Sequence, residues 1–474
     1  MVNYMEFEEI QKKIKKLIEG PIRAIPDDAM AQIRKTIEKK APTSKRLFEE
    51  MKENIPGGYE HQLVINDPFA LTMKRSLGCK MWDVDENEYT DWLSGAGAVI
   101  LGHTYKPLHE KIIEVLHDVD PPMYYTNEYE LKAVKLIKKH VPSVELFKFF
   151  QSGTEADMAA IRVARTYTKK QKIVKIGGGY HGWSDQLVYD CHVPGSGDLE
   201  AHGIPRHCFK DILAVPPNDV KALEEKFKQF EGKKGIAGVI VEPLGPESGN
   251  IPVAPDFNKE IQELCEKYGA LFIFDEVVTG FRLGLGGAQE YFGVKPDLTT
   301  FGKLLTHGFP STGGLGGRAD VMSYFASGIE AGTEKVMATG TLLGNPITTA
   351  ATYWTLQFIE KENACEKTAK TGEKLTVQIN DLFERHGFPF FAYNYKSIIQ
   401  YKTYAAINMD ISIPGNIEKA LYRNACVGRI ATALLAKDTI TKRGASAFTT
   451  IAHTNTDIEN FIQAFDAVLK LIPS

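Results

Sequence analysis

The chain has 474 residues, 43% of them hydrophobic and 24% charged, an ordinary balance that excludes global disorder. Lys and Arg number 56 against 60 Asp and Glu. The resulting net charge of −4 excludes the basic stripe of a dedicated nucleic-acid binder and a strongly anionic solvating chain. Six cysteines are scattered without a CxxC pair, so neither a zinc knuckle nor a redox dithiol is expected, no metal is called for, and the thiols read as reduced in a cytoplasmic protein. No stretch approaches the roughly 18 apolar residues of a membrane span.

Residues 1–50 are charged and helical in pattern. Phe7, Ile10, Ile14, Leu17 and Ile18 recur at helical spacing, with interruptions at Pro21, Pro26 and Pro42. This apolar run is too broken for a signal peptide. The turn Ile55-Pro56-Gly57-Gly58 leads into short strands, and Met81–Asp85 and Glu88–Trp92 flank Glu86-Asn87 as a hairpin. From about residue 105 short apolar strands alternate with helices, the pattern of a mostly parallel α/β sheet. The predicted core strands are Leu146–Phe150, Ile173–Ile176, Ile236–Val241, Leu271–Phe274 and Leu298–Phe301. A helix over Phe257–Tyr268 is predicted to start on an Asp256 cap and end at Gly269. A long helical stretch over Ala350–Phe383, with a break near Lys361-Glu362-Asn363, precedes an α+β tail. The expected organisation is a helical extension over 1–50, a small α+β domain built from 51–105 and 350–474, and a large α/β domain over 106–349.

Ligands of open α/β sheets bind at the carboxyl ends of the strands, so the residues that follow each strand are the informative ones. After Leu146–Phe150 comes Gln151-Ser152-Gly153-Thr154-Glu155-Ala156 and a helix. Small residues there expose backbone amides to an anion, although an ordinary N-cap has the same composition. After Leu271–Phe274 comes Asp275. A carboxylate ending a buried strand needs a cation, either Arg282 or another base, or a protonated heterocycle. After Leu298–Phe301 comes Gly302-Lys303, where a lysine beside apolar residues can become a Schiff-base nucleophile. Pyridoxal phosphate (PLP) requires an anion site, an acid for its ring nitrogen and a lysine for its aldehyde, and the three occur together. Asp297 stands where a phosphate-binding GxxxxGK[ST] loop needs its first glycine, and no GxGxxG follows a strand.

From about Ile55 to the C-terminus the sequence resembles class III (subgroup II) PLP-dependent aminotransferases, in particular the glutamate-1-semialdehyde aminomutase branch. The resemblance rests on Ile55–Gly58, Trp82–Asp85, Ser152–Ala156, Tyr180-His181-Gly182, Val241-Glu242-Pro243, Asp275–Arg282, Lys303, Gly340–Pro346 and Ala452-His453-Thr454. It implies PLP fold type I (aspartate-aminotransferase-like), with the large domain, mostly parallel in a mixed sheet, binding the cofactor. It further implies that Lys303 carries the cofactor and shuttles a proton, that Asp275 pairs with the pyridinium, and that Val277 and Tyr180 lie on the two ring faces. Gly153 and Thr154 would form the phosphate cup, and Thr341 would reach a neighbouring subunit's phosphate, which implies a homodimer with shared sites. His181, a lone histidine beside glycine, reads as structural.

The sequence departs from the branch at three places. Pro56-Gly57-Gly58-Tyr59-Glu60-His61-Gln62-Leu63-Val64 lacks the arginine that aminomutases carry there, Ala96 replaces a tryptophan, and Thr306-His307-Gly308-Phe309-Pro310 replaces a glycine run. The candidate cation for a substrate carboxylate is Arg443, and Glu247 resembles the glutamate that neutralises such an arginine in some relatives. The expected function is an aminotransferase moving an amino group between an amino donor and a keto acceptor by a ping-pong mechanism. The alternatives are an intramolecular aminomutase or a racemase on the same scaffold, and a non-catalytic binding protein, which the retained Lys303 and Asp275 disfavour.

Overall fold

A computed structural model describes residues 5–473 apart from 123, 328–332 and 412. Residues 1–4 of the N-terminal extension and Ser474 lie outside the described residues. The chain divides into two compact units: one of 1–105, 366–409 and 415–474, the other of 106–365 and 410–414.

The first unit begins with three amphipathic helices, α1 (Phe7–Glu19), α2 (Asp27–Lys40) and α3 (Pro42–Lys52), broken where the prolines predict. Their buried residues, Ile10, Ile14 and Leu17 in α1, Met30, Ile33 and Ile37 in α2, and Ser44 and Phe48 in α3, keep helical spacing. Strands β1 (Met73–Leu77), β2 (Lys80–Asp83) and β3 (Glu88–Asp91) follow, with the predicted hairpin in the register Met81↔Tyr89. Asp83 closes its turn by accepting the Asp85 and Asn87 amides at 2.9 Å each.

The second unit holds a seven-stranded sheet of β4 (Leu146–Phe150), β5 (Lys172–Ile176), β6 (Ile212–Val215), β7 (Ile236–Val241), β8 (Leu271–Asp275), β9 (Leu298–Gly302) and β10 (Gly313–Gly317). Their spatial order is β4-β10-β9-β8-β7-β5-β6, and only β10 runs against its neighbours. β7 is apolar throughout and β8 is apolar up to Asp275, as the inner strands of a sheet covered on both faces require. β6 and β10 are absent from the predicted strands. β10 reads Gly-Gly-Leu-Gly-Gly, a composition without β propensity, and its glycines are demanded by packing: a Cβ on Gly314 would collide with the Phe147 ring. The helix Gly153–Thr168 buries Ala156, Ala159, Ala160, Ile161, Val163 and Ala164 within the core. The helix Phe257–Tyr268 ends at left-handed Gly269 as predicted, but Asp256 makes no side-chain cap; it is itself in a helical conformation and cannot turn its carboxyl onto the first amides.

The predicted long helix is two helices, Pro346–Glu362 and Ala364–Arg385, separated at left-handed Asn363. The first unit then resumes with β11 (Phe391–Tyr395), β12 (Ile398–Lys402), the helix Asn416–Leu435, β13 (Thr439–Ile440) and β14 (Ser446–Phe448). β13 adds in parallel to β3, and β11, β12 and β14 form a three-stranded antiparallel sheet. Arg423, nearly buried, donates to the carbonyls of Leu17 and Ile18 at the C-terminus of α1 and of Tyr404, so the N-terminal helices are held to this unit by polar as well as apolar contacts. Arg429 adds an ion pair with Asp27 at 2.7 Å.

Candidate active site

The last residues of β4, β5, β7, β8 and β9 and the segments that follow them supply the singled-out residues of the larger unit, apart from Thr341. At the end of β4, the Ser152 hydroxyl accepts the Glu155 amide at 3.2 Å and the Glu155 carboxylate accepts the Gln151 amide at 2.9 Å. This reciprocal pair fixes the helix start, where the first amides have no intrahelical acceptor and the helix dipole is positive. Gly153 and Thr154 lie at that start. Gly153 is required by close approach, because a Cβ would stand 2.7 Å from Val277 Cγ2. A Cβ on Gly302 would stand 3.0 Å from Val277 Cγ1. The Val277 side chain is therefore wedged between the helix start and the residue before Lys303.

Asp275 ends β8, nearly buried. Its Oδ1 accepts the Val277 amide at 3.0 Å and the Thr300 hydroxyl at 3.3 Å; its Oδ2 pairs with His181 Nδ1 at 2.7 Å. The base that meets Asp275 is thus His181, only 1% exposed, rather than Arg282. Arg282 is wholly buried, and burial pulls its guanidinium down to about 9. Sequence alone treats His181 as structural, since nothing in it shows that a residue 94 positions away is its partner.

Tyr180-His181-Gly182 follows β5 and is anchored by Glu242, at the end of β7. The buried Glu242 carboxylate accepts the amides of Tyr180 at 2.9 Å, Glu247 at 2.8 Å and Ser248 at 2.6 Å. Burial pushes this carboxyl up, while His181 and the backbone donors oppose the shift. Gly182 has φ 80° and lies against Thr154, whose Cβ would be 2.6 Å from an added Gly182 Cβ. The motif after β5 and the motif after β4 therefore touch. The Tyr180 ring stacks on His192 at 5.3 Å and is 41% exposed, which leaves an aromatic face open.

His192 Nδ1 lies 2.8 Å from both Glu200 oxygens, and Nε2 lies 3.8 Å from Glu247. Burial alone would lower its pKa, but Cys191, Glu247 and Glu200 outweigh it and raise it to about 9. Cys191, His192 and Glu200 bring possible metal ligands within 4.8 Å of one another, and the His192–Glu200 ion pair already satisfies two of them. Lys175, fully buried in β5, donates to the carbonyls of Leu187 and Tyr189 at 2.8 Å each and so ties down the segment that carries His192.

Lys303 follows β9, half-buried, with φ 39°. A non-glycine residue held in this left-handed region costs about 1–3 kcal/mol, a strain that clusters at active sites. Thr341 is exposed in the turn before the helix Pro346–Glu362. This turn abuts the end of β4, since a Cβ on Gly340 would be 2.6 Å from Gln151 Nε2. Arg443 belongs to the other unit, where it is exposed and donates to the Gln62 carbonyl at 2.9 Å. Glu247 stays in the larger unit beside His192, so Arg443 and Glu247 each have a partner within their own unit.

A helix start lined by small residues, a carboxylate–imidazole pair at a strand end, a lysine after the next strand and an open aromatic face suit a phosphorylated heterocyclic aldehyde. The glycine at 153 leaves its helix amides uncovered by any side chain of its own.

The family model "Aminotransferase class-III" matches residues 63–389. A glutamate-1-semialdehyde 2,1-aminomutase from Sulfurihydrogenibium sp. is 37% identical over 358 residues, covering 73% of this chain and 80% of the relative. Among solved structures, an omega-transaminase from Sphaerobacter thermophilus aligns with TM-score 0.80 and 27% identity, over 92% of this chain and 99% of its own. A glutamate-1-semialdehyde aminomutase from Pseudomonas aeruginosa in complex with PMP aligns with TM-score 0.80 and 18% identity, over 98% of this chain and 99% of its own.

Proposed function

The chain belongs to the class-III aminotransferase family, with PLP fold type I and pyridoxal 5'-phosphate as its cofactor, and from that premise we propose that it is an intramolecular aminomutase of the glutamate-1-semialdehyde type. The observation that supports this reading most is the 37% identity to a named aminomutase over 73% of the chain. When bound, the cofactor supplies an aldehyde to hold an amine and a ring that stores the electrons released when a proton leaves the adjacent carbon.

The roles of this chain's residues follow from their positions. Gly153 and Thr154 at the helix start would hold the phosphate. Val277, wedged beneath Gly153 and Gly302, and Tyr180, with its open face, would confine the ring. Asp275, fed by three donors, would keep a proton on the ring nitrogen, because a carboxylate is the acceptor such a proton requires. Lys303 would carry the cofactor and, once released, move the proton at the substrate carbon from one face. Thr341 would complete the phosphate site of a partner subunit, which makes the assembly a homodimer with shared sites. Arg443 would be the cation for a substrate carboxylate.

A second reading, an intermolecular aminotransferase, is favoured by the absence of the family arginine at 59–64, by Ala96, and by the 27% identity to an omega-transaminase. One experiment separates the two. Purified enzyme is given single substrates with no second partner. Conversion of glutamate-1-semialdehyde to its amino isomer with no partner consumed supports the aminomutase. Failure there, with release of a carbonyl compound and accumulation of pyridoxamine phosphate from a simple amino acid, supports the transferase and overturns the first reading.

A further inference from the structure

His192 has no part in the roles above, yet its ring stacks on one that does. The centroids of His192 and Tyr180 lie 5.3 Å apart, with 28° between the planes. Glu242 fixes Tyr180 at its amide, which leaves the ring to be held by what it packs against. The segment that carries His192 is built to bring it there. Lys175 donates to the carbonyls of Leu187 and Tyr189, and the Gly178 amide donates to the Asp190 carbonyl at 2.9 Å. Gly178 and Cys191 form a parallel bridge, and a Cβ on Gly178 would stand 2.8 Å from Pro194 Cδ. Asp190 and His192 are held at φ 54° and 58°, a left-handed backbone that non-glycine residues keep only where their surroundings impose it.

Carboxylates hold the imidazole from both nitrogens. Nδ1 lies 2.8 Å from each Glu200 oxygen, and Nε2 lies 3.8 Å from Glu247. A neutral imidazole has one N–H and an imidazolium has two, so this arrangement favours the doubly protonated ring. The titratable groups that face it are Cys191 and Glu200 on its own segment, Glu247 after β7 and Tyr180 after β5. A cation lying on an aromatic face is attracted by the ring's quadrupole, and the two carboxylates resist rotation of the imidazolium away from that face.

We propose that His192 is a positioning residue: held between Glu200 and Glu247, its ring backs one face of Tyr180 and fixes the plane that the other face presents to the cofactor. His192 takes one side of the tyrosine ring, and the 41% exposure of Tyr180 leaves the other side for a second ring. An aromatic side chain already held on one face loses less freedom when a ligand stacks on the other, so the support is felt as tighter binding. The inference rests on the reading that Tyr180 lies on one face of the cofactor ring.

The test compares His192→Ala, which removes the ring, with His192→Phe, which keeps a flat ring in its place. The backbone bonds made by Lys175 and Gly178 are untouched in both. The readouts are equilibrium binding of pyridoxal phosphate to the apoenzyme and the visible circular dichroism of the holoenzyme, which reports how the cofactor ring is seated. His192→Ala should weaken binding about tenfold, the upper value of one stacked aromatic pair, and change the dichroism. His192→Phe should restore binding to within about threefold of the unaltered enzyme. In a Tyr180→Leu background His192→Ala should change affinity by less than about twofold, because His192 acts through that ring. A change below about twofold in His192→Ala alone would overturn the inference, as would His192→Phe binding no better than His192→Ala. A loss in the Tyr180→Leu background as large as in the unaltered one would also overturn it, because His192 would then act through its segment. Tyr180→Leu alone distinguishes the premise: if it leaves affinity and dichroism unmoved, the reading of Tyr180 itself fails, whereas a clear effect there beside silent His192 variants removes only the role of His192.

Discussion

Gly182→Ala is the sharpest perturbation of the contact between the two cofactor-facing motifs. The residue has φ 80°, and an added Cβ would lie 2.6 Å from Thr154 Cβ and 2.7 Å from Thr154 Cα, within the helix start assigned to the phosphate. Two costs arise. The left-handed backbone costs an alanine about 1–2 kcal/mol. The collision, with the Thr154 hydroxyl and with its Cβ and Cα, which move only with the backbone, costs about a further 1–3 kcal/mol. Gly203 separates the two costs, because its φ is also 80° and nothing lies within 4 Å of its missing Cβ. Gly203→Ala should show the backbone cost alone as a lower unfolding midpoint, with cofactor affinity unchanged. Gly182→Ala should be less stable than Gly203→Ala and should also bind pyridoxal phosphate about 5- to 150-fold more weakly, if displacement of Thr154 is felt in full at the phosphate. Fluorescence titration of the two apoenzymes, beside urea unfolding, reads both quantities. A Gly182→Ala enzyme whose cofactor affinity stays within twofold of the unaltered enzyme would refute the placement of Thr154 at the phosphate.

Three further outcomes are expected. Glu242→Ala strips the acceptor from the amides of Tyr180, Glu247 and Ser248, and should cost about 2–4 kcal/mol of stability in urea unfolding; a loss below about 0.5 kcal/mol would mean that these amides find other acceptors. Arg423→Ala removes the guanidinium that holds the end of α1, and limited proteolysis within 5–26 should speed up about 30-fold for a local loss near 2 kcal/mol; equal cleavage rates would show that apolar packing alone docks the helices. His192 has its folded pKa raised to about 9 from 6.5, so its ion pairing contributes in full below about pH 6.5 and fades as pH rises through about 9. The melting temperature of the unaltered protein should therefore exceed that of Glu200→Gln at pH 6.5 and converge on it above pH 9, and a gap that widened with pH would reverse the assigned sign.

Most strands of the large sheet were legible because a parallel sheet covered on both faces is written as short unbroken apolar runs, as in Ile236–Val241 and Leu271–Phe274. β10 was not, because its glycines answer to the Phe147 and Val144 side chains that fill the space above them, and that demand is set by residues about 170 positions away. The same division runs through the site. Lys303, Asp275 and the Ser152–Thr154 turn announce themselves, since a charge or a run of small residues directly after an apolar strand is locally anomalous. His181 and Glu242 do not, because each matters only through a partner that folding brings to it: Asp275, and the Tyr180 and Ser248 amides. Sequence position thus exposes groups that would touch a cofactor at the strand ends, and hides the groups that hold them. That asymmetry has a chemical consequence for choosing between isomerisation and transfer. The groups legible in the sequence are those that any amino-group chemistry on this cofactor requires. The outcome depends on how long a carbonyl product is retained and how the ring's proton is held, and His181, through its bond to Asp275, bears on the second. Variants of His181 therefore bear on that choice more directly than variants of Lys303, whose loss would silence both.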